Sequence, residues 1–213
     1  MDPSTAGPSH GQLKFKIVLL GEGAVGKSSL MMRYVQGQFN PRHISTLQAS
    51  FLSKLIQVDG TDVELHIWDT AGQEKYHALG PIYYRGSQGA LLIYDITDAK
   101  SFDKVKLWVK ELRRALGDEV VLFIVGNKLD LADSRTVESE TAMKYAQEVG
   151  ALYEETSAKE NIGIENLFER ITSAMVTEAR SSSHTSNGMT SGRRERRTIR
   201  IVDEPTIRNK KCC

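Results

Sequence analysis

The chain has 213 residues, 40% hydrophobic and 26% charged, a composition typical of a soluble globular protein with one sizeable core. The formal net charge is +1, but residues 181–213 carry eight Lys and Arg against three Asp and Glu, so positive charge is concentrated in this tail. No apolar run approaches the ~20 residues of a membrane span. The first dozen residues have no apolar core of a signal peptide. We therefore expect a protein that is neither exported nor membrane-spanning.

Strand-like apolar segments alternate with segments of helical period, which is typical of a mostly parallel sheet covered by helices. Asp59-Gly60 separates the second and third strands and is a strong hairpin signal, so that pair is predicted to be antiparallel. The predicted strands are 14–20, 49–58, 62–68, 89–95, 120–126 and 151–156, and the predicted helices are 27–37, 101–116, 138–149 and 163–178.

The sequence thus predicts an α/β fold of three layers: a six-stranded, mostly parallel sheet with one antiparallel edge strand, and helices on both faces. This domain is expected to span residues 13–180. Residues 1–12 and 181–213 show no periodicity and are rich in Ser, Gly, Pro or Arg, so both are predicted to be disordered extensions.

The loop after the first predicted strand matches a phosphate-binding pattern. Residues 21–28 read Gly-Glu-Gly-Ala-Val-Gly-Lys-Ser, which fits G-x-x-x-x-G-K-[ST]. Glycines lack Cβ, so the backbone can turn its N–H groups onto phosphate oxygens, while Lys27 can reach the β- and γ-phosphates and Ser28 can ligate Mg²⁺. Such a turn also occurs by chance, and alone it does not identify the nucleotide.

A second motif, Asp69-Thr-Ala-Gly72-Gln73, follows the apolar run 63–68. A carboxylate at the end of a buried strand is where a phosphate loop needs a partner for Mg²⁺. Gly72 leaves a backbone N–H open to a γ-phosphate, and Gln73 has the right side chain to orient an attacking water. An isolated Asp-x-x-Gly is also a common turn, but its place 42 residues after Lys27 favours a hydrolytic site.

Two further loops, each after a predicted strand, favour guanine as the base. In Asn127-Lys128-Leu-Asp130 the last carboxylate can accept both N1–H and the exocyclic amine of guanine, a donor pair that adenine lacks. In Thr156-Ser-Ala-Lys159 the backbone N–H of Ala158 could meet guanine O6, with Ser157 and Lys159 bracing the loop. In isolation, the first tetrapeptide could equally be an Asx-rich turn.

These segments together resemble the five motifs of Ras-superfamily small GTPases, in order and at family spacing, over about residues 13–178. They are Gly21–Ser28, Thr46, Asp69–Gln73, Asn127–Asp130 and Ser157–Lys159. The stretches 68–74, 83–85 and 93–97 and the terminal Cys-Cys resemble the Rab branch, and 76–81 and 108–112 resemble its early-endosomal members. Rabs usually carry Ile-Gly after the switch threonine, whereas Leu47-Gln48-Ala-Ser-Phe51 here points to a smaller endosomal subgroup.

The resemblance implies a P-loop G-domain that binds GTP or GDP with Mg²⁺, hydrolyses GTP slowly and recruits effectors in endosomal vesicle trafficking. It assigns Gln73, Lys27 and Gly72 to catalysis, and Ser28, Thr46 and, through water, Asp69 to Mg²⁺. Its full set of nucleotide-binding residues is Gly23, Ala24, Val25, Gly26, Lys27, Ser28, Ser29, Phe39, Thr46, Gly72, Asn127, Lys128, Asp130, Ser157, Ala158 and Lys159.

The resemblance also implies protein and membrane partners. Phe51, Trp68 and Tyr83 would form an apolar effector patch, although these aromatics could simply fill the interface between sheet and switch segments. The expected partners are a GTPase-activating protein, a guanine nucleotide exchange factor, a GDP dissociation inhibitor or escort protein, and effectors. A monomer is expected, with geranylgeranyl groups on Cys212 and Cys213 holding it to the cytoplasmic face of early endosomes beside a cytosolic pool.

Several alternatives remain open from the sequence. The terminal cysteines could be unmodified thiols, and the basic run 193–197 could be a nuclear signal or a nucleic-acid patch, although no aromatic residue interleaves with it to stack on bases. The chain could be a scaffold with structural GTP that is never turned over. An ATP-using P-loop enzyme conflicts with Asn127–Asp130.

Overall fold

The sheet is the centre of the structure, a computed structural model that describes residues 12–42, 46, 49–70 and 80–185. Its strands are β1 (Leu13–Leu20), β2 (Ser50–Val58), β3 (Thr61–Asp69), β4 (Gly89–Asp95), β5 (Val121–Asn127) and β6 (Leu152–Thr156). The helices are α1 (Lys27–Gln36), α2 (Gly80–Tyr84), α3 (Ala99–Leu116), α4 (Ser139–Glu148) and α5 (Ile164–Thr185), and a 3-10 helix covers Leu129–Ser134.

The strands lie in the order β2-β3-β1-β4-β5-β6, and every neighbouring pair except β2–β3 is parallel. The turn between β2 and β3 holds Asp59 at φ +51° and Gly60 at φ +71°. Both angles lie in the left-handed region that a two-residue hairpin turn requires. The predicted antiparallel edge strand is therefore confirmed, as is the mostly parallel six-stranded sheet.

Alternate residues of β1 face two separate hydrophobic cores, one on each side of the sheet. Leu19 packs in the core that contains α1 and α5, whereas Leu20 packs in the core that contains α3 and α4. The rings of Tyr34 in α1 and Phe168 in α5 stack with centroids 3.7 Å apart, which joins the two helices of the first core. The three-layer arrangement predicted from the alternating pattern is confirmed.

The elements differ from the prediction mainly at their ends. Neither α2 nor the 3-10 helix was predicted, because each is too short to show a helical period. Helix α5 continues past the predicted end at 178 to Thr185, so the first residues of the predicted tail are helical. Extending a formed helix costs little per residue, and the Ser181 hydroxyl donates to Thr177 O at 3.0 Å.

The terminal extensions 1–11 and 186–213 lie outside the described residues. Within the part of the chain that the structure describes, no helix is both long and apolar enough to cross a membrane.

We predict that burial rather than residue type decides the cost of truncating leucines in the helices. Leu167 of α5 is 0% exposed and Leu107 of α3 is 54% exposed. Leu167→Ala should lower the free energy of unfolding by about 2–5 kcal/mol, and Leu107→Ala by no more than about 0.5 kcal/mol. Chemical denaturation of both variants at one solution composition measures this, and equal losses would contradict the assignment of Leu167 to the core.

Candidate nucleotide-binding site

The parallel strands bring the predicted motifs to one edge of the sheet. The loops that follow β1, β3, β5 and β6 all begin at the carboxyl ends of their strands, where open α/β sheets bind ligands. Segments that are far apart in sequence therefore meet there. The phosphate loop, residues 21–28, lies on one side of the site, and the base loop, which is the loop that follows β6, lies on the other.

The phosphate loop is a tight turn between β1 and α1 that depends on two glycines. Gly21 has φ +151°, and a Cβ built on it would lie 2.2 Å from the carbonyl oxygen of Ile93. Gly26 has φ +96°, and its Cβ would lie 2.3 Å from Nδ2 of Asn127. Neither position can take a side chain without movement of its neighbours. Glycine at both positions therefore allows the loop to pass close to Ile93 of β4 and Asn127 of β5.

Lys27 is the buried cation of this loop, only 5% exposed. Its Nζ donates to the carbonyl oxygens of Gly21 at 2.9 Å and Glu22 at 2.8 Å, so the side chain curls back over the loop. Burial lowers the pKa of Lys27 to about 8. An anion in the loop would favour the ammonium form, which makes this side chain well suited to phosphate.

Three oxygen-bearing side chains meet at the start of α1. Ser28 Oγ lies 2.6 Å from Thr46 Oγ1 and donates to Asp69 Oδ2. Asp69 ends β3 and is 1% exposed, and the next residue is fixed because Thr70 Oγ1 donates to Leu19 O at 2.7 Å. Hydroxyl and carboxylate oxygens are the ligands that Mg²⁺ prefers, so this cluster fits a magnesium ion.

Asn127 joins the phosphate loop to the base loop. It is 2% exposed, and its Nδ2 donates to Val25 O at 2.9 Å. Its Oδ1 accepts from Thr156 Oγ1 at 3.2 Å and from the Ala158 N–H at 3.3 Å. One buried amide thus fixes the relative positions of three loops, and both of its polar atoms are used in doing so.

Charged groups hold the two loops that were predicted to read the base. Lys128 Nζ lies 2.6 Å from Asp95 Oδ2. Burial raises the pKa of Asp95, but hydrogen bonds from Lys128 and Thr97 outweigh it, and the net shift of that pKa is downward. Asp130 Oδ1 accepts from Ser157 Oγ at 2.6 Å. The structure therefore brings the Asp130 carboxylate and the base loop after β6 together.

Other predicted residues take less central positions. Ser29 is half-buried in the first turn of α1, and Lys159 Nζ lies 3.7 Å from Asp130 Oδ2. Phe39 is half-buried against the core under α1. Gly72 and Gln73 lie outside the described residues, as do Leu47, Gln48 and the terminal cysteines.

The proposed effector patch is only partly assembled among the described residues. Phe51 is 45% exposed on the edge strand β2, and its ring centroid lies 5.3 Å from that of Trp68 on β3. His66 contacts the same Phe51 ring edge-on at 5.3 Å. Tyr83 is half-buried on α2. The pair Phe51–Trp68 thus forms an aromatic surface that is open to solvent.

Two arginines that support the site were not predicted. Arg135 pairs with Glu155 through two bonds of 2.7 and 2.8 Å, and the Tyr153 hydroxyl donates to the same carboxylate at 2.8 Å. This ties the residue that follows the 3-10 helix, in which Asp130 lies, to β6. Arg33 of α1 reaches the base loop from the other side. Neither lies in a motif, so only the fold reveals its partners.

The class of protein follows from this arrangement. A phosphate-binding motif between a buried parallel strand and a helix, an oxygen cluster at the end of β3, and two motif-bearing segments after β5 and β6 are typical of a P-loop protein of the small GTPase class.

The comparisons with known proteins agree with this class. Residues 16–177 match the Ras family. Ras-related protein Rab-21 of Homo sapiens is 54% identical to the chain over 191 residues, which cover 89% of the chain and 85% of the human protein. The proteins of the same name from Dictyostelium discoideum and Geodia cydonium are 49% identical over 205 residues and 58% identical over 156 residues; these alignments cover 93% and 73% of the chain and 96% and 68% of the two relatives.

The chain therefore belongs to the Ras family and is a Rab small GTPase. It is a GTP-binding switch of vesicle trafficking and hydrolyses GTP, as the sequence predicted; the scaffold alternative is not favoured. Ras-superfamily GTPases in general bind GTP or GDP with Mg²⁺. Rab GTPases in general interact with exchange factors, activating proteins, GDP dissociation inhibitors and effectors.

We predict that a methyl group at position 26 uncouples the two halves of the site. Gly26→Ala would strain the backbone at φ +96° and push against Asn127 Nδ2. The combined cost of a strained backbone and a lost buried hydrogen bond is about 2 kcal/mol or more, so GDP affinity should fall by about 30-fold or more.

Gly86→Ala is the matched control, because Gly86 also has positive φ, +71°, yet its Cβ would meet nothing within 4 Å. Fluorescent GDP titration compares the two variants. Similar affinities in both would show that the contact with Asn127 is unimportant.

Proposed function

We propose that this chain is an endosomal Rab switch whose nucleotide state is sensed where Thr46 meets the phosphate loop. The observation that carries the proposal is the 2.6 Å contact between Ser28 Oγ and Thr46 Oγ1 beside Asp69. It brings Thr46, which lies between α1 and β2 in the sequence, onto the cluster that fits Mg²⁺. Loss of a γ-phosphate from this place would release Thr46.

The phosphate side of the site uses side chains and backbone together. Lys27 would exchange its bonds to the Gly21 and Glu22 carbonyls for the β- and γ-phosphates, and the N–H groups of residues 23–29 would face the phosphate oxygens. Ser28 and Thr46 would ligate Mg²⁺ directly and Asp69 through water. Bound Mg²⁺ supplies positive charge that neutralises the phosphate oxygens.

Guanine would be read by two loops. Asp130 would accept the N1–H and the exocyclic amine while Ser157 and Lys159 hold its carboxylate in place. The Ala158 N–H would exchange its long bond to Asn127 Oδ1 for guanine O6. Phe39 and the stem of Lys128 would cover the base. A guanine-specific site follows, because adenine would leave the buried polar groups of this pocket unpaired.

Hydrolysis in this proposal depends on positioning and charge. Gln73 orients the attacking water, the Gly72 N–H contacts the γ-phosphate, and Lys27 stabilises charge on the phosphate oxygens. Intrinsic turnover would be slow, on the order of 10⁻⁴ to 10⁻² s⁻¹, as in small GTPases without an arginine finger at the γ-phosphate. An activating protein would then supply the missing positive charge.

We predict that Gln73→Leu lowers hydrolysis stimulated by an activating protein by at least about 100-fold while GDP affinity changes little, because only the water loses its partner. Single-turnover hydrolysis of bound GTP measures this. The matched control is Gln57→Leu, since Gln57 is exposed on β2 and bonds only to Asp62 among the contacts described. Unchanged turnover in the Gln73 variant would remove Gln73 from the water-positioning role.

The membrane part of the proposal rests on two cysteines beside a basic segment. Cys212 and Cys213 follow Lys210-Lys211, and residues 181–213 carry eight basic residues. Two lipid chains, or one chain with a basic segment, are needed for stable attachment. In this proposal both cysteines carry geranylgeranyl groups, which hold the protein to the cytoplasmic face of early endosomes. Similarity to the Rab-21 proteins supports this location. Effectors bind at Phe51, Trp68 and Tyr83.

We predict that protein from a eukaryotic host carries two prenyl groups and that replacing both terminal cysteines by serine makes it cytosolic. Intact mass spectrometry and fractionation of tagged protein measure these two outcomes. Ser186→Ala, a change elsewhere in the tail, should leave both unchanged. Two free thiols in the unaltered protein would overturn the membrane assignment without affecting the nucleotide site.

A further inference from the structure

Arg33 of α1 makes its hydrogen bonds to main-chain carbonyls of the site. Its Nε donates to Ala158 O at 2.9 Å, and its Nη2 donates to Lys159 O at 2.9 Å. Its Nη1 donates to Gly37 O, also at 2.9 Å. All three groups of one guanidinium are therefore bonded, two of them to the loop that follows β6.

The bond to Gly37 fixes the guanidinium on its own helix. Gly37 caps the carboxyl end of α1 at φ +69°, and a cation at the carboxyl end of a helix is favoured by the helix dipole. A planar guanidinium held at one nitrogen has little freedom left at the other two. The Arg33 guanidinium is thus fixed at the carboxyl end of α1 and bonds from there to the base loop.

The base loop is held by different contacts at its beginning and at the residues that follow. Ser157 is held by paired backbone bonds of 3.0 Å to Ile162 and by its hydroxyl bond to Asp130. The carbonyls of Ala158 and Lys159, on the following side, are held by Arg33. Between the two supports lies the Ala158 N–H, which bonds at 3.3 Å to Asn127 Oδ1.

We propose that Arg33 is a positioning residue for recognition of guanine O6. The inference rests on the proposed function, in which the Ala158 N–H meets O6. The Ile162 N–H holds the Ser157 carbonyl of the peptide unit that carries this N–H, and Arg33 fixes the two units that follow, so both contacts together set the direction of the N–H. Asp130, which would read the N1–H and the amine, lies in the 3-10 helix after β5 and is held by the side chains of Ser157 and Lys159. Arg33 bonds only to main-chain carbonyls of the loop after β6, so its main effect is expected on the O6 edge.

The inference predicts a selective loss that a general structural role would not produce. Three diphosphates separate the two edges: GDP, 6-thio-GDP, which keeps N1–H and the amine but carries a weaker sulfur acceptor in place of O6, and IDP, which keeps O6 but lacks the amine. The unaltered chain should bind 6-thio-GDP about 10-fold less tightly than GDP, in line with the loss of one good hydrogen bond.

In Arg33→Ala, GDP and IDP affinities should each fall by about 10-fold, whereas 6-thio-GDP affinity should fall by less than about 2-fold. The ratio of GDP affinity to 6-thio-GDP affinity, the sulfur penalty, therefore falls to nearly one. The ratio of GDP affinity to IDP affinity stays as in the unaltered chain. Arg33→Lys keeps the charge and the helix but has a single ammonium in place of the fork, so it should also reduce the sulfur penalty. Arg114→Ala, an exposed arginine of α3, is the control and should change none of the affinities.

Equilibrium titration with the three nucleotides distinguishes the outcomes. Equal binding of GDP and 6-thio-GDP by the unaltered chain would overturn O6 reading by Ala158, and the role of Arg33 with it. A normal sulfur penalty in the unaltered chain, with equal losses for all three nucleotides in Arg33→Ala, would overturn the role of Arg33 alone. If Arg33→Ala binds too weakly to measure, Arg33→Lys decides, and a full sulfur penalty in that variant overturns the inference.

Discussion

The site depends on one buried side chain, the amide of Asn127. Its Nδ2 is used by the phosphate loop at Val25, and its Oδ1 is used by the base loop at Thr156 and Ala158. A buried amide with partners on both sides is costly to disturb, because any movement leaves a donor or an acceptor unpaired. The Asn127 amide therefore fixes the position of the phosphate loop relative to the base loop. Gly26 lies so close to this amide that a Cβ would not fit between them.

The sequence was sufficient for the fold because its signals were local and agreed with one another. Apolar residues of β1 face both sides of the sheet, and Asp59-Gly60 forms the turn of the hairpin β2–β3 by taking two left-handed conformations. The short helix α2 and the far end of α5 were missed for the opposite reason. The five-residue sequence of α2 is too short for a helical period, and the sequence after residue 178 has no apolar residues at helical spacing.

For the site, the motifs place Lys27, Ser28, Asn127 and Asp130 at or soon after the ends of β1 and β5, and the structure brings these residues to one edge of the sheet. What the motifs could not show is how the loops are held. Arg33 bonds to residues more than a hundred positions away, and the pairing of Arg135 with Glu155 exists only because β6 lies beside β5. Residue types with specific chemistry can be recognised from sequence, whereas the supports behind them depend on tertiary neighbours.

The burial of Lys27 has a consequence for its protonation. Burial lowers the pKa of this lysine to about 8, although the carboxylates of Asp69 and Glu22 act in the opposite direction. Negative phosphate charge beside the ammonium would raise that pKa, so above about pH 8 phosphate binding would be coupled to uptake of a proton by Lys27. The affinity of this loop for phosphate should therefore weaken as the pH rises above about 8.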